Sequence, residues 1–159
     1  MNNLKILILM TGIFSWITGC KGKFDNRDFS DEKFKVGQIW NYETRTGEEK
    51  STIQILKVEQ YEKSGIIIHI YVSGIKIKNT NKANGTSNKI GHLPLSKEAV
   101  LNSVITLVSE NNKSTDYKDG YNNWKRAFDN NKGGIFSITI KEAVQYVEET
   151  MANGKKVKE

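Results

Sequence analysis

Apolar and polar residues alternate along the first half of the chain and recur at helical spacing in the second. In "VGQIWNYETR", Val36, Trp40 and Tyr42 share one parity, which predicts a strand. "STIQILKVEQY" predicts a second strand carrying Ile53, Ile55, Leu56 and Val58. Its apolar parity changes between Ile55 and Leu56, so either both faces are covered or a bulge sits there. "GIIIHIYVSGIKIK" is the strongest strand pattern, with Ile66, Ile68, Ile70 and Val72 on one face. After Ser73-Gly74 the apolar positions become Ile75 and Ile77, and a glycine at a parity flip predicts a bulge or bend. Short polar turns join the three strands, which predicts an antiparallel meander.

The second half changes period. Residues 79–92, "NTNKANGTSNKIGH", form a polar stretch long enough for either a binding loop or a hairpin tip. In "PLSKEAVLNSVITLVSE", Ser96 is placed as an N-cap and Leu95 and Val100 as a hydrophobic staple. Val100, Leu101, Val104, Ile105 and Val108 then form a helical stripe. A second helix is expected over about 117–129, with Tyr117, Tyr121, Trp124 and Phe128 on one face and Gly120 as its weak point. "GGIFSITI" predicts a short strand. Thr139 and Glu142 then make a capping box for a helix with Ile140, Val144, Val147 and Met151 inward. Asn153-Gly154 ends that helix. The expected order is βββααβα: an α+β fold, an antiparallel sheet with helices packed on one face.

The 159 residues fit a single domain, expected over 35–152, and no internal repeat is present. The net charge of +6 comes from dispersed lysines, with Lys76, Lys78, Lys82 and Lys89 loosely grouped and Lys155, Lys156 and Lys158 in a basic tail, 153–159. Dispersed charge of this kind is a solvated surface, and no nucleic-acid-binding pattern accompanies it.

The amino-terminal pattern is different again. Lys5 precedes a mostly apolar run from Ile6 to Ile17, too short to cross a bilayer, which needs roughly 20 apolar residues. It fits the apolar region of an export signal, expected over residues 1–19. Ile17-Thr18-Gly19-Cys20 resembles the lipobox of bacterial lipoproteins. The resemblance implies a diacylglyceryl group on the Cys20 thiol, cleavage before Cys20, and acylation of the freed amine. Acyl chains contribute about 0.8 kcal/mol per buried methylene, so two or more anchor stably. Lys21 is not the aspartate that retains lipoproteins in the inner membrane. The implied location is therefore the outer membrane facing the periplasm, or the outer face of the plasma membrane where there is only one. Residues 20–34 are expected to be a polar tether.

Cys20 is the only cysteine, so it can form no intrachain disulfide and no multi-sulfur metal site. The two histidines lack metal-ligand spacing. His69 is expected as a packed or half-exposed sheet residue, and His92 as a capping or loop residue. Asp129-Asn130-Asn131-Lys132-Gly133-Gly134 starts like a calcium loop but fails at its fifth position, Gly133, and its twelfth, Ile140. No metal and no cofactor is expected beyond the covalent lipid. Neither a nucleophile elbow nor a phosphate-binding loop occurs.

The string "GQIWNYETRTGEE" and the stretch "HLPLS" resemble a group of small bacterial proteins of unassigned activity over about Phe34–Glu148. The resemblance implies no role for any residue. Arg45, Glu48 and Glu49 at a hairpin end, with His92 in a loop, are the candidate recognition residues. An Arg45–Glu48 pair fixing the turn is the structural alternative. The expected function is a lipid-anchored envelope binding or interaction protein, an immunity protein being one case. Its partners are then the membrane and another envelope protein. The alternatives are an enzyme with a site near Arg45, Glu48 and His92, and a structural envelope lipoprotein.

Overall fold

The computed structural model describes residues 27–79 and 84–152. The expected signal peptide, Cys20 and the basic tail lie outside the described residues, as do residues 80–83 of the long polar stretch. The elements are β1 (Arg27–Asp28), β2 (Ile39–Tyr42), β3 (Thr52–Tyr61), β4 (Gly65–Lys78), β5 (Thr86–Ser96), α1 (Lys97–Leu101), β6 (Val104–Ser109), α2 (Lys118–Asp129) and α3 (Ile140–Ala152). The fold is α+β, as the pattern predicts. The strands form one antiparallel sheet in the order β5-β4-β3-β2-β6, and β1 pairs with β3 at Gln60 and Glu59.

Both parity changes have a structural cause. The β3–β4 register slips between Ile55 and Lys57, so Leu56 is the extra residue of a bulge. The β4–β5 register slips between Ser73 and Ile77. Gly74 lies there at φ +78°, where a Cβ would stand 3.0 Å from the Ser51 Cα. The long strands therefore bend without exposing their apolar residues, and Ile75 and Ile77 stay buried.

Alternation splits the buried residues between two faces. Ile53, Ile55, Val58, Ile68, Ile70, Val72, Leu93 and Leu95 point to one face, where Ala99 and Val100 of α1 and Ile140, Ala143, Val144 and Val147 of α3 cover them. Tyr61 and Ile67 point to the other, where Trp124, Tyr121 and Phe128 of α2 cover them. The expectation of helices on one face is thus corrected. β4 is buried on both parities from Ile67 to Ile70, so its second face also carries a lid, and the aromatic stripe of α2 supplies it.

Three local readings also change. The helix expected from Ser96 stops at Leu101 and the chain continues as β6. Ser96 does cap it, accepting a bond from the Ala99 N–H at 3.2 Å. Ser103 then ends it by donating to the Ala99 carbonyl at 2.6 Å. The run Val104-Ile105-Thr106-Leu107-Val108 is rich in β-branched residues and pairs with β2, which overrides its helical spacing. The polar stretch 79–92 is already strand from Thr86. "GGIFSITI" contributes only a parallel bridge between Phe136 and Leu95. The capping box forms as expected, with the Thr139 N–H donating to Glu142 at 2.9 Å.

The domain also begins before residue 35. Phe29 N–H donates to the Val58 carbonyl at 3.2 Å and its ring packs on the core. Asp31 is buried, accepting from the Lys33 and Phe34 N–H groups, each at 2.9 Å, and pairing with Lys97 at 2.5 Å. Phe34 is fully buried edge-on to Trp40, with ring centroids 5.7 Å apart. The folded domain therefore already includes residues 27–34, which the sequence pattern assigns to a tether. Phe34→Ala is expected to cost about 3–5 kcal/mol in denaturant unfolding, as for a core aromatic. A change within experimental error is the result for a tether residue.

Candidate functional site

β5 is an edge strand. At one end Phe136 pairs with it, its N–H donating to the Pro94 carbonyl and its carbonyl accepting from the Ser96 N–H, both at 2.9 Å. Beyond that bridge, residues 89–94 of β5 line a cleft of about 730 Å³. Tyr117, Gly120 and Trp124 form one wall, and Tyr146 and Met151 of α3 another. This volume falls within the range of sites that hold small ligands.

His92 lines the cleft and connects it to a buried charge. His92 Nε2 lies 2.9 Å from His69 Nδ1, and His69 Nε2 lies 3.0 Å from a carboxylate oxygen of Glu59. His69 and Glu59 are both fully buried. The same carboxylate accepts from the Tyr121 hydroxyl at 2.8 Å and the Tyr61 hydroxyl at 3.3 Å, and Lys57 Nζ stands 3.4 Å away. Two strands and one helix thus converge on Glu59, and His92 adds a third strand, β5, through His69. Strand alternation accounts for it: Glu59, Tyr61, Ile67 and His69 all project to the face that α2 covers. Trp124 closes the cluster, its ring centroid 4.7 Å from that of His69 and its Nε1 donating to the Gly134 carbonyl at 2.8 Å. Gly120 lets α2 come this close, since a Cβ there would stand 2.8 Å from the His92 Cβ. The weak point of the helix pattern is therefore its contact point with the sheet.

Burial holds the His69 ring below its ordinary pKa, against the pull of Glu59 toward the charged form. Burial first, and then the neighbouring His69, lowers His92 to about 3. Both rings are neutral near pH 7. Burial and the adjacent Glu59 push the Tyr61 hydroxyl far up, so it stays a donor.

Arg45 and Glu48 do not line the cleft; the structure separates them from His92 in role. Arg45 Nε and Nη2 donate to the two Glu48 oxygens at 2.9 and 2.6 Å. Its Nη1 reaches Glu148 of α3 at 2.5 Å and Gln145 at 2.8 Å. Each carboxylate also accepts a β4 amide: Lys76 N–H to Glu48 at 2.6 Å, and Lys78 N–H to Glu148 at 2.8 Å. Burial opposes the Glu48 charge, yet Arg45 and the Lys76 amide hold its pKa below the usual range. These residues are a clamp joining the 45–48 turn, β4 and α3. Glu49 is exposed and accepts from the Gly47 N–H at 2.6 Å.

Among the described residues, no group of three or more His, Cys, Asp or Glu could hold a metal ion, and no helix is long and apolar enough to cross a membrane. Comparison of the chain with protein-family models, curated proteins and solved structures returns no match.

Arg45→Ala leaves the buried Glu48 charge without its cation, only the Lys76 amide remaining, and a loss of about 3–5 kcal/mol is expected in urea unfolding. The histidines give a separate signature. Unfolded histidine takes up a proton as pH falls through about 6.5, whereas the folded rings do so only at lower pH. Their stabilisation is therefore complete above about 6.5 and falls as pH drops toward 5, by up to ~1.4 kcal/mol per pH unit for each ring. Urea midpoints across this range measure it, and His92→Gln is expected to flatten the slope.

Proposed function

We propose that the chain is an exported lipoprotein of the bacterial envelope whose domain binds a ligand in the cleft beside β5. The observation that carries the binding reading is the cleft itself: about 730 Å³, walled by Tyr117, Trp124, Tyr146 and Met151, with His92 opening into it. Aromatic walls with a few polar groups suit a ligand that is apolar over most of its surface. The export and anchoring reading rests on the apolar amino-terminal run and on Ile17-Thr18-Gly19-Cys20. The ligand can be a segment of another envelope protein, as an immunity protein would require, and the cleft is then the contact surface rather than Arg45 and Glu49.

Cys20→Ser is expected to abolish palmitate incorporation and leave the precursor uncut. Normal processing and membrane retention in that variant overturn the anchor. For the cleft, a photo-crosslinking amino acid at Tyr117 in cells is expected to give an adduct that Trp124→Ala diminishes. Absence of any adduct at Tyr117, with adducts at the exposed Glu49 instead, overturns the cleft as the binding surface.

A further inference from the structure

The cleft and the buried carboxylate are joined by two imidazoles in series. Glu59 accepts from the Tyr121 and Tyr61 hydroxyls, faces the Lys57 ammonium at 3.4 Å, and lies 3.0 Å from His69 Nε2. Two hydroxyl donors and an ammonium favour the ionised carboxylate, and an ionised carboxylate only accepts. His69 must then carry its hydrogen on Nε2, leaving Nδ1 as an acceptor. The 2.9 Å contact to His92 needs one donor, and His92 Nε2 supplies it. Its own Nδ1 is left with a bare lone pair. No described residue hydrogen-bonds to that nitrogen, and among the described residues no buried side-chain nitrogen or oxygen lacks a partner. His92 Nδ1 is therefore open to the cleft.

We propose that Glu59, His69 and His92 form a proton relay, and that His92 Nδ1 is its receiving end for a ligand that presents a hydroxyl or amide N–H in the cleft. In the ground state the ligand donates a hydrogen bond to Nδ1. With a hydroxyl ligand the relay can go further: the ligand O–H bond breaks as an N–H bond forms at Nδ1. The hydrogen on His92 Nε2 moves to His69 Nδ1, and the hydrogen on His69 Nε2 moves to Glu59. One negative charge has then passed from Glu59 to the ligand oxygen, and no ring is left as a buried imidazolium. This is general-base chemistry at His92, with His69 and Glu59 as positioning and proton-holding residues. It moves the catalytic alternative away from Arg45 and Glu48. The ligand class rests on the cleft being the binding site, whereas the relay does not.

Ring nitrogen spectra of the folded, histidine-labelled protein at about pH 7 test the relay directly. Hydrogen on Nε2 and none on Nδ1 is expected for both rings. Hydrogen on His92 Nδ1 overturns the proposal, because it closes the lone pair toward the cleft. Reactivity gives a second test with diethyl pyrocarbonate, an electrophile that bonds to an unprotonated ring nitrogen while the ring's other hydrogen leaves. His69 is fully buried and His92 half-buried, so the adduct is expected on His92. Glu59→Gln removes the final proton acceptor and is expected to slow the adduct by about tenfold or more. An unchanged rate in a folded Glu59→Gln protein overturns the relay. If that variant does not fold, the spectrum of the unaltered protein decides alone. Crosslinking at Tyr117 does not depend on Glu59, so loss of the cleft reading and loss of the relay give different results.

Discussion

Burying the Glu59 carboxylate between the sheet and α2 costs several kcal/mol unless its oxygens are fully supplied with donors. The second face of the domain is arranged around that requirement. Tyr121 comes from α2, Tyr61 and Lys57 from β3, and His69 from β4, so the helix and strands cannot separate without exposing partners of one buried charge. Trp124 and Phe128 add apolar area, stacked with centroids 4.8 Å apart, but apolar area alone would tolerate sliding. The hydrogen bonds fix the register of α2 on the sheet. The cleft depends on that register, because α2 forms its wall.

The opposite face is held by different physics. There the core is aliphatic, with Ile, Val and Leu side chains of β3, β4 and β5 under α1 and α3. Charge enters at the Asp31–Lys97 pair and at the rim, where Arg45 fastens the 45–48 turn to α3 and two carboxylates receive β4 amides. Loss of this clamp loosens α3 at the end where Val147 and Met151 approach the cleft. The two halves of the site are therefore stabilised independently, one wall by a polar cluster and the other by packing plus an ion pair.

Strand periodicity was legible because burial enforces it: β3, β4 and the capping box of α3 follow directly from residue order. The helical stripe through Val104, Ile105 and Val108 misled because three- and four-residue spacing also occurs by chance in a β-branched run. Pairing with β2 decided the outcome. The Arg45–Glu48 pair was legible as a turn clamp, but Glu148 lies a hundred residues away and only the fold brings it near. Glu59 escaped notice altogether. A lone glutamate in a strand reads as a solvent-facing residue. The available signal was its parity, shared with Ile67 and His69 through the β3–β4 register, together with an aromatic stripe on α2 that needed a face to cover.

The early start of the folded domain has a mechanical consequence. With β1 beginning at Arg27, six residues separate it from Cys20. At ~3.3–3.6 Å per residue that link reaches at most about 25 Å, half the reach of a tether ending at residue 34. On the proposed anchor, the domain hangs by a leash no longer than its own diameter. Its search for a partner then becomes lateral diffusion in a thin layer next to the bilayer. Anything that fills the cleft must come down into that layer or already reside there.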